Sequence, residues 1–477
     1  MKKTFLIFFC IIAASHFMLS YGAQLSVERY VEMVVAQNKD IRALDKSIEA
    51  VQAQMRQARR IYSPVFEAGF SYFQDESHRV PNISRSRGPS YNLSIAQELS
   101  TGTIVAVGYN RSHIRNRFSA AALGTQAESR VDMYPFISVE QSIFRNFGGG
   151  AAQAGVLRAE AQARAQLYTL LYQRQQMVLS ATMAYWNLSY ARALVEFRQN
   201  SIERNRTILN WNRRRHSLDL INLTDYLQSQ AAYQQRHYNL ILAREQYVAS
   251  ARQFNNFLNI AGNNVIYRVE ALTDAGRRYL TYEQTLSRQG VRADVLSAQA
   301  VAQSTMYAAR EVRRGIGHEL IVLGSYALTG IAANASTARN HVWNADRPSF
   351  VVGARYSLPL DFSTRRTVRR GFDLAETAAL ATVSALVTSE QNDWLALSDN
   401  WRFARERLKL LHEIVNVQTR RHRESQSMLT RGRLTTYEAL QSEQDLDDAT
   451  LSLLANILEV ITIYETNRAL YFTQEQF

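Results

Sequence analysis

Over long stretches of the chain apolar residues recur at spacings of three and four, as at Leu451, Leu454, Leu458 and Ile461, and many other positions are alanine. Such spacing lines apolar side chains along one stripe of a helix, giving a seam for packing against neighbouring helices, and alanine permits close approach. All six prolines (Pro64, Pro81, Pro89, Pro135, Pro348, Pro359) fall in two windows, and glycine is absent from Val156 to Ala261. Proline and glycine punctuate helices, so the segments lacking them, rich in Ala, Leu, Gln, Glu and Arg, predict very long helices. An unbroken helix from about Gly150 to His216 would extend roughly 100 Å, which no compact globular domain accommodates.

The proline-containing windows follow a different period. Phe66, Ala68, Phe70 and Tyr72 alternate with Glu67, Gly69 and Ser71; Tyr91, Leu93 and Ile95 with Asn92, Ser94 and Ala96; Ile137, Val139 and Ile143 with Ser138, Glu140 and Ser142. In the second window Val322, Tyr326 and Leu328 oppose Ser325 and Thr329, and Val352, Ala354, Tyr356 and Leu358 oppose Gly353, Arg355 and Ser357. Period-two alternation with aromatics predicts strands with one apolar and one polar face. Transmembrane barrel strands fit this pattern, and so does a soluble β-sandwich. An internal duplication weighs for the barrel. At one offset Gln141, Ser142, Ile143, Phe147 and Trp186 meet Tyr356, Ser357, Leu358, Phe362 and Trp401, and at a slightly smaller one Leu227, Gln228 and Ser229 meet Leu440, Gln441 and Ser442. Each half runs helix, strands, long helix, tight turn, returning helix. Residues 23–258 form the first repeat, 259–290 a connector and 291–477 the second repeat.

Residues 1–22 read as a secretory signal: Lys2 and Lys3, an apolar run from Phe5 to Leu19, then small residues around Ser20 and Gly22. Export is the expectation. The only cysteine, Cys10, lies inside that run, so the processed chain would hold neither disulfide nor free thiol. No later stretch reaches the roughly 18 to 20 apolar residues of a helical span, so entry into a membrane requires a closed β-barrel. A net charge of +13 on an exported chain points to anionic lipid or cargo, with no nucleic acid. The nine histidines show no metal spacing, His412 and His422 lying ten apart. Gly148, Gly149 and Gly150 lack the Lys-Ser or Lys-Thr of a phosphate loop and serve a strand-to-helix turn. No cofactor is expected. Asp447 and Asp448 read as an exposed carboxylate pair, which leaves no catalytic constellation, and the equivalence of Trp186 with Trp401 favours packing.

The run Ala184-Tyr185-Trp186-Asn187-Leu188, the strand end Gln141-Ser142-Ile143-Phe144, and the turn motifs Leu223-Thr224-Asp225 and Arg431 to Leu440 resemble those of the TolC-type outer-membrane efflux proteins. Order, duplication and helix lengths carry the resemblance over essentially the whole chain after the signal. It implies a mainly α fold with a β-barrel, long antiparallel helical hairpins forming a trimeric periplasmic tunnel joined to a shared transmembrane barrel. It also implies a passive conduit in the bacterial outer membrane, not an enzyme, acting in drug efflux, type I secretion or metal export. Its partners would be two further copies, a periplasmic adaptor protein, an inner-membrane pump and outer-membrane lipid. A structural coiled-coil protein of the cell envelope is the alternative. Two departures stand out: Asp219 replaces the usual small residue of the first turn, and an extra strand-like hairpin, Tyr91 to Leu99 and Thr103 to Tyr109 joined at Thr101-Gly102, could supply six strands where the family usually has four, giving either a wider barrel or a long external hairpin on a four-stranded subunit.

Transferred to this chain, the resemblance places a periplasmic gate at Asp225, Glu438 and Gln441, and adaptor-docking turns at Asp219, Leu220, Asn222, Thr224, Arg431, Gly432, Arg433 and Thr435. Helix capping alone is a competing account of Thr224, Thr435, Asp225 and Glu438. From the residues themselves comes a basic collar, since every strand-to-helix junction carries arginine: Arg59, Arg60, Arg145, Arg313, Arg314, Arg365, Arg366, Arg369 and Arg370. Guanidinium groups pair phosphate well, so the collar suits lipid headgroups outside or an anion-attracting ring inside; solvated helix ends are the plain alternative.

Overall fold

The structure is a computed structural model that describes residues 24–77, 83–118, 127–281 and 286–471. The expected signal segment lies outside them, as does Phe477. In chain order the main elements are β1 (Gln24–Leu25), α1 (Val27–Gln37), α2 (Lys39–Met55), β2 (Val65–Asp75), β3 (Ile83–Glu98), β4 (Thr103–Phe118), β5 (Ala127–Ser142), α3 (Gly150–His216), α4 (Leu223–Phe257), β6 (Arg268–Val269), α5 (Leu272–Thr281), α6 (Ala293–Gly315), β7 (Glu319–Leu328), β8 (Gly330–Ala332), α7 (Ala335–Trp343), β9 (Pro348–Ser357), α8 (Phe362–Thr430) and α9 (Thr436–Tyr471). The fold is mainly helical with one large sheet. The predicted long helix is α3, unbroken over 67 residues, and α8 runs for 69. Two compact units result, one of Met1–Ile48, Thr169–Asp294 and Val387–Phe477, the other of Glu49–Tyr168 and Val295–Leu386, so each draws on both halves of the chain.

The first unit is helical. Ser26 caps α1 by accepting the Arg29 N–H at 3.3 Å. Asn38 separates α1 from α2: its Oδ1 accepts the N–H groups of Asp40 and Ile41, and its Nδ2 donates to the Phe257 carbonyl. The apolar face of α1 then meets an aromatic core. Tyr30 stacks on Phe254 with ring centroids 4.3 Å apart, and Tyr185 stands edge-on to Trp186 at 5.1 Å. The hydroxyls are satisfied, Tyr30 donating to the Phe254 carbonyl at 3.0 Å and Tyr185 to that of Leu25. Leu454, Ile457, Val460 and Ile461 of α9 close the core, with Trp401 of α8 in the same cluster. The helical seam is therefore broader than the sequence spacing implies, Leu451 and Leu458 lying half-buried at its edge.

The second unit holds an open, antiparallel sheet in the order β2-β3-β4-β5-β7-β9, with β8 beside β5. The expected extra hairpin is β3–β4, but its strands are 16 residues each, well beyond Tyr91–Leu99 and Thr103–Tyr109. Gly102 takes φ 74 in the connecting turn, where a Cβ would come within 2.5 Å of the Asn146 carbonyl oxygen. The register aligns Phe70, Tyr91 and Arg111 along one rung, and Ala68, Leu93, Tyr109 and Pro135 along the next on the same face. That face continues through Ile95, Val107, Ile137, Tyr326 and Phe350. The other face carries Ser94, Asn92, Asn110, Ser138, Ser325 and Arg355, with Asn92 donating to Asn110 at 2.7 Å. Helix α7 lies on the apolar face with Ala338 buried against Val131 and Met133. Gly330 makes this possible, since a Cβ there would sit 2.1 Å from the Ala338 carbonyl oxygen.

Trp186 is fully buried. Trp186→Ala should cost about 3–5 kcal/mol through lost burial and the cavity left behind, seen as an earlier loss of helical circular dichroism on heating; an unshifted transition would show that this ring is not a core anchor.

Candidate functional site

The two helical hairpins turn by the same backbone device. In the first, the Leu220 N–H donates to the Arg215 carbonyl and the Asp219 N–H to that of His216; in the second, Arg433 donates to Met428 and Gly432 to Leu429. This is the Schellman pairing, which needs a left-handed residue after the helix end. Asp219 (φ 52) and Gly432 (φ 71) supply it. The small residue missing from the first turn is thus replaced by one that still tolerates this conformation, at some steric cost.

The returning helices start differently. Thr435 and Glu438 form a reciprocal capping box: the Thr435 N–H and hydroxyl donate to Glu438 at 3.0 and 2.7 Å, and the Glu438 N–H donates to the Thr435 hydroxyl at 3.2 Å. These bonds hold the Glu438 carboxyl below its usual range. At the first turn Asn222 occupies the cap position without a side-chain bond, and Thr224 lies inside the helix. Asp225 is half-buried; Gln441 is exposed and donates to Asp445, which also receives Arg421 of α8 at 2.6 Å. The remaining turn residues, Asp219, Leu220, Asn222, Thr224, Arg431, Gly432, Arg433 and Thr435, are exposed, and Leu218, Leu223 and Leu227 add an apolar surface beside them.

Further along the same helices lies a buried ionic cluster that sequence reasoning missed. Asp447 and Asp448 do not form an exposed pair. Adjacent residues point about 100° apart on a helix, so Asp448 is exposed while Asp447, with Glu443 one turn before it, faces inward and is fully buried. Arg204 of α3 bridges both, reaching Glu443 at 2.9 and 3.1 Å and Asp447 at 3.0 Å. Ser201 donates to Asp447 at 2.8 Å, Arg236 of α4 lies 3.4 Å from it and Arg198 3.7 Å. His422 of α8 brings Nε2 to 3.2 Å from Glu443, without the alignment of a hydrogen bond. All four helices contribute. Burial raises Glu443 to about 7 against the pull of Arg204, and burial together with Arg204 lowers His422 to about 4. The legible signal was a pair of acids spaced i, i+4 on the stripe that also carries Ala439, Leu446 and Leu453.

The nine collar arginines gather where strands give way to helices in the second unit, partly neutralised. Arg59 pairs with Glu160 at 2.7 Å, Arg145 with Glu319 at 3.3 Å, and Arg313 with Asp373 and Glu376 at 2.7 Å each. Arg369 donates to the Arg313 carbonyl at 2.9 Å, and Arg314 lies over Gly150. The side chains of Arg60, Arg365, Arg366 and Arg370 make no hydrogen bond or ion pair among the described residues.

No protein-family model matches the chain, and no curated protein matches it in sequence. Solved structures do match. The outer membrane protein VceC of Vibrio cholerae superposes with TM-score 0.64 at 12% identity, over 94% of this chain and 96% of that one. The Campylobacter jejuni outer membrane channel CmeC gives 0.60 at 11% identity, over 94% and 87%. The Neisseria gonorrhoeae outer membrane channel MtrE, solved in an open state, gives 0.60 at 10% identity, over 93% and 88%. The chain has the fold of the outer-membrane channels. In that fold the hairpin turns and the ionic cluster belong to the helical part, and the collar borders the sheet.

Arg204→Met strands two buried carboxylates and should cost about 3–5 kcal/mol, read as a lower temperature for loss of helical signal. The pH dependence separates the two titrating partners. The raised folded pKa of Glu443 gives stability complete below 4.5 and lost as pH rises through about 7, whereas depressed His422 gives stability present above 6.5 and lost as pH falls through about 4. Glu443→Gln should flatten the profile between pH 4.5 and 7, and His422→Gln that between 4 and 6.5; parallel wild-type and variant profiles would remove both groups from the cluster's energetics.

Proposed function

We propose that this chain is the outer-membrane component of a tripartite efflux or type I secretion system, a passive gated conduit from a periplasmic tunnel to the exterior. One observation carries the proposal: a sheet with a continuous band of large apolar side chains along one face and mostly polar and small ones along the other, with edges β2 and β9 each paired on one side only among the described residues. Lipid demands that every backbone polar group find a partner, so such a sheet spans a membrane only when copies close it edge to edge. Three copies, with the apolar face outward and Asn92, Asn110 and Ser138 inward, make a barrel with a water-filled lumen. The six long strands of each copy give a wider barrel than four would.

The hairpin turns then form the periplasmic entrance. Asp225, Glu438 and Gln441 of the three copies ring it, and the exposed leucines at the turns are the surface that a periplasmic adaptor covers, with an inner-membrane pump supplying energy and choosing cargo. Glu438 also serves as a helix cap, so one group both holds the turn and sets its charge. The collar arginines without partners among the described residues stand at the periplasmic boundary of the outer membrane, suited to headgroups or to anions entering the barrel. No step in this account requires catalysis.

Detergent-purified protein in planar bilayers should give discrete pores, and Asp225→Ala and Glu438→Ala should open more readily or change ion preference. Folded trimers that conduct nothing would instead favour a coiled-coil protein of the cell envelope.

A further inference from the structure

The apolar face of the sheet changes character within one pleat. Toward the free hairpin ends, past Tyr109 and Pro135, it carries Arg111, Arg115 and Arg117 on β4 and Arg85 and Arg87 on β3. Arg85 pairs with Glu76 at 2.6 Å. The guanidinium groups of Arg87, Arg111, Arg115 and Arg117 make no hydrogen bond or ion pair among the described residues. Opposing strands thus bring like charges face to face, an arrangement that costs energy unless an anion lies among them.

Helix α7 sits on this boundary, pressed to the sheet through Gly330 and Ala338, and presents Arg339 and Trp343 outward. Between helix and sheet is a cavity of about 650 Å³ lined by Tyr109, Arg111, Pro135, Leu328, Arg339 and Trp343 among others, none of them a carboxylate. Its floor is apolar and its mouth basic. Trp343 is 81% exposed, an unfavourable place for an indole in water but a suitable one at a lipid boundary, where an amphipathic ring meets both phases. An unpaired guanidinium presents a fork that matches phosphate oxygens. Acyl chains against the apolar band and phosphate above it reproduce this layering, and a free anion would leave the floor and the indole unexplained.

We propose that the cavity between α7 and the sheet binds a phosphate-bearing lipid headgroup of the leaflet facing the exterior, with Arg111 and Arg339 clamping the phosphate and Tyr109 and Trp343 flanking the first acyl carbons. This assignment rests on the sheet forming a membrane barrel with its apolar face in lipid. It concerns the end of the sheet opposite the collar.

The test uses full-length protein purified in mild detergent and titrated with bisphosphorylated lipid A, with the same lipid dephosphorylated, and with inorganic phosphate, bound lipid being counted by native mass spectrometry. Lipid A should bind, removal of its phosphates should weaken binding about tenfold, and Arg111→Gln combined with Arg339→Gln should do the same. Lysine at both positions should restore part of the loss. Equal binding of the two lipids, full binding by the glutamine variant, or no binding because a second copy covers the cavity would overturn the proposal, and displacement by millimolar inorganic phosphate would make it a free-anion site instead. Trimer yield and conductance of the native chain, read from the same preparation, report separately on the membrane reading: native protein that forms pores but ignores lipid A sinks only the lipid site, and native protein that forms no pores sinks both.

Discussion

The pleat of the sheet is the constraint from which the rest follows. Side chains alternate strictly across a strand, so a slip of one residue in any pairing would exchange its apolar and polar sets. The pairings from β2 to β9 keep one parity throughout, with an irregularity only near Ile83 and Arg85. Phe66, Phe70, Tyr91, Leu93, Tyr109, Ile137, Tyr326 and Phe350 therefore share one face, while Phe73, Phe136 and Leu323 fall on the other among mostly polar and small neighbours, and α7 has a definite side on which to lie. The hairpin β3–β4 extends this ladder without breaking its parity, which is how two additional strands are accommodated.

The helical unit depends on different physics. One part is held by aromatic and aliphatic packing around Tyr30, Trp186 and Phe254, whereas the part nearer the turns combines a small apolar cluster of Ile208, Leu429 and Ala439 with the buried charges. Carboxylates as buried as Glu443 and Asp447 are tolerated only with full sets of partners, and four helices must be in register to supply them. Hydrophobic packing admits small sliding at little cost. A network of directed bonds from Arg204 and Ser201 of α3 to Glu443 and Asp447 of α9 does not, so it fixes the register of these two helices.

Much of this was legible in the residues. The absence of proline announced α3 and α8, reinforced in α3 by the lack of glycine from Val156 onward, whereas α8 runs on through Gly371. Alternation revealed the strands within the apolar band, but it understated β3 and β4. Beyond that band both faces of the strands carry polar side chains, so Arg85, Arg87, Arg115 and Arg117 show no period of two in polarity although they keep it in space. The capping box at Thr435 and Glu438 was visible as a motif, and its competing roles were visible too. Asp447 was misread because a neighbouring acid suggested a solvated face, when its distance from Ala439, Leu446 and Leu453 placed it on the buried stripe. Helix α7 left no expectation at all: nine residues with one small buried alanine give too short a pattern to recognise.

The open edges of the sheet have a consequence for the life of the newly made chain. Strands β2 and β9 each have one edge without a strand partner among the described residues, beside Phe66, Phe70, Phe350 and Val352, all strongly exposed. Neither strand carries a charged guard in its middle on that face, and such edges recruit any strand that passes. A newly made chain therefore faces a kinetic race between pairing with its own kind in the right order and joining a disordered aggregate. The outcome depends on how many chains are present at once and how long each waits, so the rate of supply and the presence of an escort would govern yield as strongly as the stability of the folded chain.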